Sequence, residues 1–399
     1  PGSGVAAFCK TRVSSSEPLI SVPKKLLLTN NLAREHFGIQ KKSGSRNPNV
    51  FLQLYLSKLK FDGACDNAKF FKPYLDILPS GREVGSPYFW SPEEMDLLKG
   101  TDLFLKTKRN LANLVQEWFE GITQINQVTA DAKAFYDLFA NSGIDTVDYL
   151  EEKVIPKWNS FPAYLWSTVI FTSRAFPQIL LDQEATQDIN EAFLFPIVDL
   201  LNHRNNTKVE WAADYKASAL TFSTKETLNE GDELLNNYGD KSNEELLLGY
   251  GFALENNDFD VTTVTLKLPL DSIRKAQVFG VSLNTDDIID DSINFCLSSS
   301  QPLPGTLISL FSFLCKLKSE TSLSLRSTLE GLDQLYSVLD QKLSFFKSSS
   351  KIASTTIKSP AILKQVKVYK NSQKRIFQES CDAVLKHQKE LLKKYKPLS

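Results

Sequence analysis

The chain has 399 residues, of which 42% are hydrophobic and 23% charged, the balance of an ordinary globular protein. That length is too great for one core and implies two or three domains. A formal net charge of −1 argues against nucleic acid or membrane as partner of the whole chain, and no run of about 18 apolar residues offers a membrane span.

In chain order, residues 2–30 alternate short apolar runs with turns, Val5-Ala6-Ala7-Phe8 and then Leu19-Ile20-Ser21-Val22-Pro23, which predicts small strands. From Asn49 to Arg174 apolar residues recur every three or four positions, as over Leu103 to Phe119 and Ala130 to Phe139, which predicts helices. Strand signals return between Phe193 and Tyr238, in Val209-Glu210-Trp211-Ala212-Ala213 and Ala219-Leu220-Thr221-Phe222. A strand is expected to end at Tyr238 and a helix to start at Ser242 or Asn243. Strands on both sides of a helical block imply that the block is inserted into a β-rich domain. A last strand is expected over Val261 to Leu268, with helices from there to the end. Leu325, Leu329, Leu332, Tyr336, Leu339, Leu343 and Phe346 form one apolar stripe on a long helix, and the serine-rich stretch from Ser348 reads as a loop. Residues 364–396 hold ten Lys/Arg against three Asp/Glu, first a solvated helix face and only second a docking surface.

Cys9, Cys65, Cys296, Cys315 and Cys381 are too scattered for a zinc-finger spacing and read as reduced thiols. Only His36, His203 and His387 occur, with no acidic cluster to complete a metal cage, so no metal is expected. The first residue is Pro rather than Met, so the start reads as trimmed and a lost targeting signal stays open.

Four short segments carry residue types suited to chemistry, and each alone has a plain structural reading. Gly2-Ser3-Gly4 is a glycine pair whose backbone amides can approach a ligand, or simply a turn. Ser173-Arg174-Ala175-Phe176 offers a guanidinium for a carboxylate, or a surface ion pair. Asp199-Leu200-Leu201-Asn202-His203 closes an apolar run with two hydrogen-bonding side chains, or with a cap and a core histidine. The stretch from Gly231 to Phe252 runs through Asn236, Tyr238, Tyr250 and Phe252 and is compatible with strand, turn and helix alone.

Their order decides between these readings. A glycine turn, then SRAF, DLLNH and YGDKSNEELLLGYGF resembles the Rubisco large-subunit methyltransferase group of SET-domain proteins. Phe71-Lys72-Pro73-Tyr74-Leu75-Asp76-Ile77-Leu78-Pro79 and Pro87-Tyr88-Phe89-Trp90-Ser91 look like that group's helical insert. One departure is Arg204, where the group often has a small residue. The resemblance implies an α+β fold: a β-rich SET domain with a pseudoknot-like crossing and a helical insert, followed by an all-α C-terminal substrate-binding domain. The boundaries implied are 1–48 for the N-terminal SET part, 49–172 for the insert, 173–258 for the C-terminal SET part and 259–399 for the helical domain.

The same resemblance implies a protein-lysine N-methyltransferase using S-adenosyl-L-methionine. Gly2, Ser3, Gly4, Arg174, Asn202, His203, Tyr238 and Phe252 would hold the cofactor, with Arg174 reaching its carboxylate and Phe252 near its adenine. Tyr238 and Tyr250 would flank methyl transfer, and Ser173, Phe176, Asp199 and Asn236 would border the lysine channel, partly through backbone carbonyls. An ammonium moved into an apolar channel beside a sulfonium loses its proton through desolvation and like charge, so no strong base is needed. The expected partner is a protein substrate such as a ribosomal protein or elongation factor, met by a monomer in the cytoplasm and secondly the nucleus. Two alternatives stay open at this point: a catalytically silent SET scaffold, and a methyltransferase acting on a histidine ring.

Overall fold

The computed structural model describes residues 5–15, 17–40, 47–142, 157–181, 190–289, 291–349 and 359–395. Contacts divide the chain into two compact units, residues 1–240 with 245–252, and residues 241–244 with 253–399.

The chain opens with strands β1 (Ala7–Phe8) and β2 (Pro18–Pro23), where short strands were expected. The helical block follows: α1 (Asn30–Phe37), α2 (Val50–Phe61), α3 (Asp66–Ile77), the single turns α4 (Gly81–Val84) and α5 (Pro92–Asp96), α6 (Asp102–Gln124), α7 (Ala130–Ser142) and α8 (Phe161–Arg174). Strands β3 (Ala175–Pro177), β4 (Ala192–Leu194), β5 (Val209–Asp214), β6 (Ala219–Thr224) and β7 (Glu233–Leu234) lead into α9 (Asn243–Tyr250). Among the described residues these strands make three small antiparallel sheets, ordered β2-β6-β5, β3-β4 and β1-β7. The strand expected to end at Tyr238 is shorter than the pattern suggested. It stops at Leu234, and beyond it only Asn236 makes a ladder contact, a parallel bridge to His203.

Burial explains the elements. Helices α2 and α8 are apolar on nearly every side, as helices packed all round must be, and they lie against each other. Helix α6 instead buries one stripe, Leu103, Thr107, Leu111, Val115, Trp118 and Ile122. Strand β6 is central in its sheet and buried along almost its whole length, and Leu220 and Phe222 join Val22, Phe193, Phe195 and Val198 in one core. Helix α8 is started by Ser160, whose side chain accepts from the Ala163 amide, with Pro162 in its first turn. It ends at Arg174, where β3 takes over, and so delivers Ser173 and Arg174 to the strand edge.

The second unit carries β8 (Val261–Lys267), α10 (Leu270–Phe279), β9 (Ile288–Ile289), β10 (Ser292–Ser298), α11 (Gly305–Leu314), α12 (Leu325–Ser349) and α13 (Pro360–Lys394). A C-terminal helical region is present, but the chain after Leu268 is not helical throughout: β9 and β10 pair with β8 in the order β8-β10-β9. Ser292-Ile293-Asn294-Phe295-Cys296-Leu297-Ser298 alternates polar and apolar, a period-two signal in a strand as long as β8. Leu332, Leu339, Leu343 and Phe346 of the α12 stripe are buried, joined by Leu335, and α12 continues through Ser349 where a loop was read. Most of that serine-rich stretch lies outside the described residues, as do Gly2, Ser3 and Gly4.

Within this unit Asn243 is fully buried at the start of α9 and binds from both ends. Its amide donates to Asp260 Oδ1 at 2.8 Å, its Nδ2 to the Leu254 carbonyl at 2.9 Å, and its Oδ1 accepts from the Leu254 amide at 2.8 Å.

The turn that ends α9 tolerates only glycine. Gly251 has φ of +78°, and a Cβ there would lie 1.8 Å from the Val84 carbonyl oxygen. Gly251→Ala is therefore expected to cost about 3 kcal/mol or more, read as a lower melting temperature or loss of soluble protein. A variant melting within a degree of wild type would mean that the two backbones do not approach this closely.

Candidate active site

Two separate segments meet to build the site. The Asn236 amide donates to the Asn202 carbonyl at 2.7 Å, and the Arg204 amide donates to the Asn236 carbonyl at 3.2 Å. Residues 202–204 and 236 thus run side by side in parallel, the crossing expected of the fold. Asn236 is buried at 2% exposure, and its side-chain oxygen accepts from the Asn237 amide.

This pairing carries His203 to Tyr238. The Tyr238 amide donates to His203 Nδ1 at 3.1 Å, which places the ring proton on Nε2, where it donates to Asn205 Oδ1 at 2.8 Å. The imidazole is spent on structure and holds no free nitrogen for base catalysis. Its ring stacks on Tyr238 with centroids 4.9 Å apart, Tyr238 stacks on Tyr250 at 4.9 Å, and Phe252 meets Tyr250 edge-on at 6.3 Å. Four aromatic rings from three sequence segments form one continuous wall.

Both phenols are neutral. Burial pushes Tyr238 up to about 12 against a smaller pull from Arg174, and burial also raises Tyr250. The Tyr238 hydroxyl donates its proton to the Leu201 carbonyl at 2.8 Å. Its oxygen is left as an acceptor.

A charged cluster lies beside this wall. Arg174 Nη1 donates to the Asp199 carbonyl at 2.8 Å and sits 3.8 Å from Asp199 Oδ2. Asp199 is buried in the turn Val198–Leu200, entered through Ile197 at φ 77° and ψ −52°, a strained conformation for a β-branched residue. Asp199 Oδ2 accepts from the Tyr74 hydroxyl at 2.5 Å, while Oδ1 has no hydrogen-bond partner among the described residues. Burial raises the Asp199 carboxyl to about 6, with Arg174 and then Tyr74 pulling it back. Asn202 donates through Nδ2 to Glu233 Oε1 at 2.7 Å.

Among the residues singled out from sequence, Asn202, His203, Asn236, Tyr238, Tyr250 and Phe252 share the wall and its crossing, and Arg174 and Asp199 touch directly. Ser173 donates to the Ile170 carbonyl at 3.1 Å within α8. The Phe176 ring is buried in the β core against Phe193, Phe195 and Trp211. Gly2, Ser3 and Gly4 lie outside the described residues. Arg204, the departure from the group's pattern, turns onto Glu226 at 2.6 Å and Thr207 at 3.2 Å. Sequence reasoning missed Tyr74, Asn205 and Glu233. Tyr74 lies inside the Phe71–Pro79 segment that the resemblance marked, but as part of an insert rather than as a partner of Asp199.

Residues 261–395 match the family described as the EFM1 middle domain. The chain is 40% identical to the protein-lysine N-methyltransferase EFM1 of Saccharomyces cerevisiae, over 99% of this chain and 70% of the relative. It is 31% identical to ribosomal lysine N-methyltransferase 1 of the same yeast, over 98% of this chain and 73% of the relative. The chain belongs to the SET-domain protein-lysine methyltransferases. Its fold matches the SET domain of LSMT bound to methyllysine and S-adenosylhomocysteine, with a TM-score of 0.68, 17% identity, and coverage of 97% of this chain and 86% of that one. A structure of Rubisco LSMT bound to S-adenosylmethionine matches with a TM-score of 0.67 and 17% identity.

The protein is thus an S-adenosylmethionine-dependent protein-lysine N-methyltransferase. It acts on protein, and no helix among the described residues is long and apolar enough to cross a membrane. The donor set of the methyltransferase fits its cofactor chemically: a guanidinium and a carboxamide suit a carboxylate, an aromatic wall suits a purine, and a buried carboxylate suits a nearby cation.

The Asp199 carboxyl gives a stability test. Its folded value of about 6 lies above the ordinary 3.8, so between these values the folded protein holds a proton that the unfolded chain has released. Stability from this group is therefore full below 3.8, falls as pH rises to 6, and the ionised form costs about 3 kcal/mol at pH 7. Asp199→Asn is expected to melt above wild type at pH 7.5, with the gap closing towards pH 4. A variant that melts lower at pH 7.5 would show that the ionised carboxylate is stabilising in place.

Proposed function

We propose that Tyr238 and Tyr250 flank the point of methyl transfer, with Tyr238 orienting the substrate amine. The observation that carries this reading is the Tyr238 hydroxyl, a neutral phenol whose proton is committed to Leu201 and whose oxygen remains an acceptor. Such an oxygen accepts an N–H from a neutral lysine amine and leaves the nitrogen lone pair free. When bound, S-adenosylmethionine supplies a methyl group carried on a positively charged sulfur. The aromatic wall of His203, Tyr238, Tyr250 and Phe252 excludes water, and desolvation disfavours the ammonium, which releases its proton to bulk solvent as it enters. Backbone carbonyls around Ser173, Phe176, Asp199 and Asn236 border the lysine channel and attract the partial positive charge of a methyl group.

In the same reading Gly2, Ser3, Gly4, Asn202 and His203 hold the cofactor, with Arg174 at its carboxylate and Phe252 at its adenine. The domains divide at 48, 172 and 258, and residues 259–399 choose the protein substrate. That substrate is a protein of the translation machinery. The reading is supported by the similarity to ribosomal lysine N-methyltransferase 1 of yeast. The enzyme works as a monomer in the cytoplasm, with the nucleus as second site, and does not act on nucleic acid.

Tyr238→Phe keeps the ring and its two stacking contacts, so the fold should survive. Turnover is expected to fall by roughly 10²-fold or more, in the range for loss of one preorganised hydrogen-bonding group, with cofactor affinity near wild type. Single-turnover kinetics and a thermal melt on the same variant decide. A stable protein with normal turnover would take Tyr238 out of the reaction. Asn202→Ala, in contrast, is expected to weaken S-adenosylhomocysteine by about 1–3 kcal/mol, because it leaves a buried polar partner unpaired. Calorimetry showing unchanged affinity would refute that assignment.

A further inference from the structure

Tyr74 lies outside the residues assigned to the cofactor and the lysine channel, yet it touches the buried carboxylate of Asp199. It comes from α3 of the helical block, on a buried face with Phe71, Leu75 and Leu78, and the end of that helix is tied by Lys60 Nζ donating to the Leu75 carbonyl at 2.6 Å. Its hydroxyl donates to Asp199 Oδ2 at 2.5 Å across 125 residues of sequence. The groups facing Asp199 are Tyr74 from α3, Arg174 from α8, the Tyr238 phenol, and the backbone amides of Asp199 and Ile197. Arg174 Nη1 donates to the Asp199 carbonyl and stands 3.8 Å from the carboxylate, so Tyr74 is the one side chain hydrogen-bonded to that carboxylate among the described residues.

We infer that Tyr74 is a positioning residue of the methyl-transfer site, holding the Asp199 carboxylate ionised at neutral pH with one oxygen committed and the other open. The inference rests on the reading that places Asp199 beside the lysine channel. A donor to the charged form of a buried acid lowers its titration point, and here that point falls close enough to neutrality for one hydrogen bond to matter. During the reaction positive charge passes from sulfur to the lysine nitrogen. An ionised carboxylate near that nitrogen favours the charge as it forms, and a protonated one does not. Oδ1 is buried and has no hydrogen-bond partner among the described residues.

The test follows the protonated-carboxyl infrared band of Asp199, assigned by its disappearance in Asp199→Asn, against pH in wild type and Tyr74→Phe. The midpoint is expected to rise in Tyr74→Phe by about one pH unit, and the acid limb of kcat/KM for a lysine peptide to rise with it. Tyr74→2,3-difluorotyrosine, a stronger donor of nearly the same shape, should shift both downward, and it carries the test by itself if Tyr74→Phe does not fold. An unmoved midpoint overturns the role of Tyr74, while loss of turnover in Asp199→Asn would still uphold the channel reading. A midpoint that moves while the kcat/KM profile stays fixed overturns both, because Asp199 then lies outside the reaction.

Discussion

The site depends on two backbone hydrogen bonds to Asn236, one from its amide to Asn202 and one to its carbonyl from Arg204. These bonds lock together two segments that are more than thirty residues apart. Without them His203 does not reach the Tyr238 amide, and the aromatic wall loses its first ring. Backbone pairing suits this task because it sets position without depending on side-chain rotamers. The imidazole then repeats the same bond at the side-chain level, and its remaining nitrogen is tied to Asn205.

Neutrality of the tyrosines follows from that packing. Rings stacked at 4.9 Å shed water, and shedding water raises the phenols above their ordinary range. A methyltransferase that relies on desolvation of its nucleophile gains from a wall of rings that carry oxygens but no charge. Arg174 and Asp199 lie close together beside the wall, and they are held by backbone and by Tyr74 more than by each other. A direct bidentate pair would consume both partners. The offset arrangement leaves each with unspent hydrogen-bonding capacity.

The helical block gives these groups their firmness. Helices α2 and α8 are buried on most sides and cannot shift without opening the core, so Ser173 and Arg174 at the end of α8 are placed by packing. Gly251 does the equivalent work after α9, where its positive φ and its contact with Val84 turn the chain so that Tyr250 and Phe252 face one another. Strain is confined to few places, such as Ile197, whose unusual backbone angles aim the Asp199 turn.

Sequence alone determined the strand–helix–strand order, the long helices and the identity of most wall residues. Periodicity in α6 and α12 reflects a one-sided core contact, and one-sided burial leaves its mark on spacing. The segments bearing Asn202, His203, Tyr238 and Tyr250 were legible because their order along the chain is itself a pattern. Strand β9 was not, since two residues carry no alternation, and β10, whose alternation is as long as that of β8, is fixed as a strand by its pairing with β8. Nor was the stop of β7 at Leu234, which is set by the crossing with residue 203 and not by any local propensity. Tyr74 shows the limit most clearly. Its spacing on α3 marks a buried aromatic, and only the tertiary packing that brings α3 to the Asp199 turn decides that its hydroxyl meets a carboxylate.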